Sequence, residues 1–73
     1  MRDIGWAVKQ MRNGLSVRRR GWNGNRMYIR LVQDINPPGG LPYVAMWMAQ
    51  GEWQPGWVCS QADLLGTDWE IAY

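Results

Sequence analysis

The sequence predicts a small α+β domain: an antiparallel sheet of about five strands, an N-terminal helix and a short second helix. Three observations predict it. Apolar residues at helical spacing (Ile4, Ala7, Val8, Met11) are confined to one early segment. Apolar residues alternate through 27–32 and again through 43–48, as in half-buried strands. The links between these segments are short and rich in Gly, Pro and Asn, which suits hairpins better than crossovers.

Asp3 is placed to cap the first helix, and Asn13-Gly14 to stop it. Leu15 continues the apolar stripe just beyond the stop. Trp6 falls on the polar side of the helical wheel with Gln10 and Asn13, so it is expected outside the core of its own domain, in a subunit contact or a ligand site. Residues 16–20 read as a strand with Val17 inward, and Gly21-Trp22-Asn23-Gly24 as a turn in which the glycines permit positive φ. Met27 to Val32 is the next strand. Residues 33–42, with Asn36-Pro37-Pro38-Gly39-Gly40, form a loop able to act as a lid. Tyr43 to Met48 is a third strand, Gln50-Gly51 a hairpin turn, and Glu52 to Gln54 a fourth strand ended by Pro55-Gly56. Ser60-Gln61-Ala62-Asp63 has the form of a helix start, Gly66 ends that helix, and Asp68 to Ala72 is the last strand.

One sheet face, with Met27, Ile29, Leu31, Val44, Met46 and Met48, is apolar enough to hold the helices. The other carries Tyr28, Arg30, Tyr43 and Trp47. That mixture is too aromatic for a free surface and too polar for a core, and it fits a subunit interface or a binding groove.

The 73 residues make a single ligand-binding domain, residues 1–73. A chain this short buries only about 60% of its unfolded surface, so it needs a staple. Cys59 is the only cysteine and there is no histidine, which leaves self-association as the simplest staple. Six tryptophans and no phenylalanine point to rings on working surfaces. All eight Lys and Arg residues lie in 1–30, and five of the six acids lie beyond residue 31. The basic part can attract phosphate, and two chains can meet basic end to acidic end. No apolar run approaches the ~20 residues of a membrane span, and no signal peptide is legible. No membrane partner is expected, and one unpaired cysteine fits a reducing cytoplasm.

Catalysis has little to work with. No histidine, no cysteine paired with a base and no phosphate-binding Gly-rich loop are present. Asp63 and Asp68 are candidate paired carboxylates, but capping already accounts for Asp63. Binding is better served. Trp22 on its turn follows Arg18-Arg19-Arg20, so a stacking ring and phosphate-binding forks adjoin. Asn23 can donate and accept at a base edge or a ribose. Against this stands the plainer reading that Trp22 plugs the sheet edge and Asn23 serves the turn. A nucleic acid polymer is not expected as a partner, because the acidic half would repel it.

Residues Ile4-Gly5-x-Ala7-Val8-x-x-Met11-x-x-Gly14-x-x-Val17-x-Arg19-x-Gly21-Trp22-Asn23-Gly24-x-x-Met27 resemble the N-terminal half of the second Thoeris anti-defence family of small phage proteins. Leu41-Pro42-Tyr43-Val44-x-Met46, Gly51 and Trp57-x-x-Ser60-Gln61-x-Asp63-Leu64-Leu65-x-x-Asp68-Trp69-Glu70 resemble the rest. The resemblance implies a sponge without cofactor or catalysis, acting in the cytoplasm of the bacterial host. Such a protein sequesters cyclic ADP-ribose isomers, and in some members cyclic oligonucleotides at a separate site. It implies a homotetramer with pockets between subunits. Trp22 and Asn23 match a ligand position, and Trp57 is the candidate second ring. Arg19, Ser60 and Asp63 also match family positions, with sheet pairing (Arg19) and helix capping (Ser60, Asp63) as their plainer roles. Trp6 departs from the family pattern, where a polar helix residue is usual, and the 33–42 loop is short. The alternative function is a phage protein-interaction module that uses the exposed aromatic sheet face.

Overall fold

The computed structural model describes residues 2–22, 26–33 and 40–73. Helix α1 spans Ile4–Arg12. Its first turn is held by Asp3, whose Oδ1 accepts the Trp6 backbone N–H at 2.9 Å. At the other end the Asn13 N–H donates to the carbonyls of Lys9 and Gln10, and Gly14 turns the chain at φ +87°. Ala7 and Met11, one turn apart, are the helix residues fully taken into the core. Asp3→Ala should lower stability by about 1 kcal/mol by orphaning that N–H. The check is a lower urea midpoint at an unchanged slope.

Strands β1 (Val17–Arg19), β2 (Tyr28–Val32), β3 (Tyr43–Trp47), β4 (Trp53–Gln54) and β5 (Trp69–Ile71) form one sheet, in the order β4-β3-β2-β1-β5. All four neighbouring pairs are antiparallel. Helix α2 (Gln61–Leu65) lies in the connection from β4 to β5. The element types and order are those predicted. Several strand ends contract by one residue, as at Met48, whose N–H closes the β3–β4 turn on Glu52.

Register keeps the two faces separate. Ile29 pairs with Met46 and Leu31 with Val44 on the helix side, while Tyr28 pairs with Trp47 and Val32 with Tyr43 on the other. Val17 sits between Ile29 and Ile71. Ala7, Met11, Val17, Ile29, Met46 and Trp69 are the buried core, and Trp69 is its largest fully buried side chain.

Two expectations for α1 are corrected. Trp6 is not excluded from its own domain: it is half-buried and packs against the core cluster. The Arg2 guanidinium lies 4.9 Å from its ring centroid. Arg2 is in turn tied to the sheet edge through its bridge to Asp68. A long ring at the border of the apolar stripe can lean back onto the core, and a cation can cover its outer side. Leu15 does not extend the stripe inward but stays exposed, because the chain turns away at Gly14.

The charge segregation along the chain is resolved internally. Arg18 and Arg20 approach Glu70 at 3.5 and 3.7 Å, and Arg19 reaches Asp63 and Asp68. The β1–β5 pairing lays the basic strand beside the acidic one, so these arginines meet their acids within one chain.

Candidate functional site

Arg19 leaves β1 on the helix side and becomes a hub. Its Nε donates to Asp68 Oδ1 at 2.7 Å, and its Nη1 donates to Asp63 Oδ1 and to the Ala62 carbonyl, each at 3.1 Å. Asp68 Oδ2 accepts the Gly21 backbone N–H at 3.1 Å, which pins the start of the turn that carries Trp22. Ser60 caps α2 by accepting the Asp63 N–H at 3.1 Å. One guanidinium thus joins β1, the first turn of α2 and the approach to β5. Charge-assisted bonds of this kind are the stronger class of hydrogen bond.

Above this hub three indoles meet. Trp22 and Trp69 are edge to face with centroids 5.4 Å apart, Trp57 and Trp69 at 6.2 Å, and Trp22 and Trp57 at 6.3 Å. The polar edges are satisfied. Trp22 Nε1 donates to Asp63 Oδ1 at 3.0 Å, and Trp69 Nε1 donates to the Asp63 carbonyl at 3.3 Å. Trp69 is buried, whereas Trp22 and Trp57 are half-buried and keep part of each ring at the surface.

Burial pushes the Asp63 carboxyl up, but hydrogen bonds from Trp22, Arg19 and Ser60 outweigh it and hold the group below its usual value. The Asp68 carboxyl is also lowered, first by the Arg19 hydrogen bond. Both groups therefore add stability that is complete above the ordinary carboxyl range and is lost as pH falls through their depressed values. Thermal melts should show a plateau from neutral pH to about pH 5 and a fall below about pH 4. Arg19→Gln should flatten that fall. An equally steep fall in the variant would refute this origin.

Over residues 2–72 the sequence matches the Tad2-like family, described as the Thoeris anti-defense 2-like domain. The chain belongs to this family. No curated protein matches it. Membership gives the chain an anti-defence role.

Trp22, Trp57, Arg19, Ser60 and Asp63 all converge on one corner of the Tad2-like domain, although they come from opposite ends of the chain. Asn23 lies outside the described residues. Ser60 caps α2, as its plainer role required, and Asp63 does more than cap because it receives both Trp22 and Arg19. Arg19 pairs with Trp69 in the β1–β5 ladder, and its side chain serves the hub. Asp63 and Asp68 meet through Arg19 in an ion-pair network.

Gly66 ends α2 as expected, whereas Gly21 departs from the positive φ expected of its turn. Gly14, Gly51 and Gly56 take left-handed φ, and Gly21 does not. Gly66 has an ordinary φ of −68°, but a Cβ there would stand 2.6 Å from Arg19 Nε. It leaves room for the guanidinium, a role that only the tertiary approach of Arg19 reveals. Sequence reasoning also missed Trp69 as the floor of the cluster, although its place beside Asp68 in the family motif was a usable signal.

On the opposite sheet face Tyr28 lies 6.5 Å from Trp47, 6.1 Å from Trp53 and 5.0 Å from Tyr73, centroid to centroid. Arg30 lies 5.3 Å from the Trp53 ring centroid. Trp53 and Tyr73 enlarge the aromatic face that Tyr28, Arg30, Tyr43 and Trp47 predicted. A separate cleft of about 560 Å³ opens between α1 and β2–β3, lined by residues such as Val8, Arg12, Leu41 and Val44. None of its lining residues belongs to the tryptophan corner, where the convergent polar groups are.

Proposed function

We propose that this chain is a non-catalytic sponge for cyclic ADP-ribose-type signalling nucleotides, and for cyclic oligonucleotides as a second ligand class. In this reading it acts in the bacterial host cytoplasm and blocks anti-phage defence by holding the signal. The observation that carries the reading is the convergence of Trp22 and Trp57 at family-matched positions, 6.3 Å apart and both half-buried. Two indoles at one corner offer a nucleobase a stacking surface worth roughly 1–3 kcal/mol per base.

The surrounding groups favour holding over cleaving. Asp63 and Asp68 are committed to Arg19 and kept ionised, so neither is poised to deliver a proton. Burial raises the Cys59 thiol, which opposes a thiolate nucleophile. Arg19 is engaged by Asp63, Asp68 and the Ala62 carbonyl. In this reading neighbouring subunits of a homotetramer close the pocket and supply its phosphate partners. A cyclic ADP-ribose isomer has about 35 non-hydrogen atoms, and at roughly −0.3 kcal/mol each gains near −10 kcal/mol. That corresponds to a Kd of order tens of nanomolar, tight enough for an abundant protein to deplete a signal.

Small molecules carried through purification from cells with an active defence system test this reading by mass spectrometry. A cyclic nucleotide in stoichiometric amount is expected, and its absence from loaded, washed protein counts against the proposal. A second reading has its own observation: the Tyr28, Trp47, Trp53 and Tyr73 face, with Arg30 against it, suits a protein-interaction module. A pull-down that returns a stoichiometric protein partner and no nucleotide favours that alternative.

A further inference from the structure

We infer that Asp63 is a positioning residue: it fixes the edge of the Trp22 indole, and the Arg19–Gly66 contact fixes Asp63. The inference rests on the sponge reading for its consequence in binding, but its geometry stands alone. A ring that stacks on a base gains most when its orientation is set beforehand, because no rotamer freedom is then lost on binding. Trp22 sits on the chain leaving β1, where the turn alone does not define its side-chain torsions. Its Nε1–H donates to Asp63 Oδ1 at 3.0 Å, and its ring edge meets Trp69 at 5.4 Å. Packing and a directional hydrogen bond together leave one orientation.

Asp63 can serve only because it is itself immobilised. The same Oδ1 accepts Arg19 Nη1 at 3.1 Å, and the Asp63 backbone N–H is held by Ser60 Oγ. Arg19 is placed by Asp68 from one side and by the bare Cα of Gly66 from the other, where any Cβ would stand 2.6 Å from Nε and 2.7 Å from Cζ. The chain of positioning therefore runs from Gly66 through Arg19 and Asp63 to Trp22. It predicts that a methyl group at residue 66, whose three nearest atoms all belong to Arg19, disturbs the Trp22 ring. It also assigns Arg19 and Asp63 a role that needs no contact with the nucleotide.

The test uses the full chain labelled with 15N and reads the indole N–H resonances, with a cyclic ADP-ribose isomer as the probe for binding. Asp63→Asn and Gly66→Ala are each expected to shift the Trp22 indole resonance and speed its hydrogen exchange. Each should also weaken probe binding by about tenfold or more, while circular dichroism stays native-like. Trp22→Phe supplies the resonance assignment. The inference is overturned if the Trp22 resonance is unmoved in both variants, or if it moves while probe affinity matches the wild type. Should Asp63→Asn fail to fold, Gly66→Ala, which retains the carboxylate, decides alone. Wild-type protein that binds no probe would sink the sponge reading, and the indole resonance would then decide the positioning claim by itself.

Discussion

Trp69→Ala is expected to unfold the isolated domain, or to leave it folded only as a minor population. Trp69 has 0% exposure and is the largest fully buried side chain, and both partially exposed indoles of the corner rest on it. Truncating a buried aromatic costs about 3–5 kcal/mol, through lost transfer energy and the cavity left behind. A domain of this length holds roughly 4–11 kcal/mol in total. The indole N–H bond to the Asp63 carbonyl, at 3.3 Å, is lost as well. Chemical denaturation should show a transition moved close to zero denaturant. A stable, cooperative Trp69→Ala domain would mean that the core does not turn on this ring.

Trp22→Ala is expected to do the opposite: weaken capture of the proposed nucleotide while the fold persists. Losing one stacking ring costs roughly 1–3 kcal/mol, or about 5- to 150-fold in Kd. Trp22 is only half-buried, and Asp63 retains Arg19 and Ser60 when the indole goes. The stability loss should therefore be well below that of Trp69→Ala. Titration calorimetry with a cyclic ADP-ribose isomer, alongside a melt of the same sample, separates the two quantities. If Trp22→Ala unfolds the protein as Trp69→Ala does, Trp22 is a plug for the sheet edge and not a ligand contact.

The contrast between these two tryptophans shows what was legible in the sequence. Period-two alternation placed Ile29 and Met46 on one sheet face and Tyr28 and Trp47 on the other, and register bears this out. Capping chemistry placed Asp3 and Ser60 correctly, because a cap is a local event within four residues. What escaped was non-local. Nothing near Gly66 announces that Arg19, far off in sequence, needs the space of its missing side chain. Nothing in the helical wheel of 4–12 says that Trp6 can lean onto the core under Arg2. Nothing in the segregation of bases and acids said that the β1–β5 pairing would bring Arg18 and Arg19 to Glu70 and Asp68 within one chain.

The candidate corner was half legible for the same reason. The family motif drew attention to Trp22, Trp57, Arg19, Ser60 and Asp63, and the fold gathers them. Their mutual wiring, with one aspartate receiving both an indole and a guanidinium, belongs to tertiary structure. It changes the expected chemistry: Arg19 next to the Trp22 turn is an ion-paired strut, so on the proposed reading a ligand phosphate needs other partners.

The central claim, capture without chemistry, is tested most directly by loading and release. The protein is mixed with a cyclic ADP-ribose isomer, washed, heat-denatured, and the supernatant analysed by mass spectrometry. Intact ligand recovered in proportion to the protein is the predicted result. Recovery of a cleaved product, or of no ligand from protein that had been saturated, would contradict it.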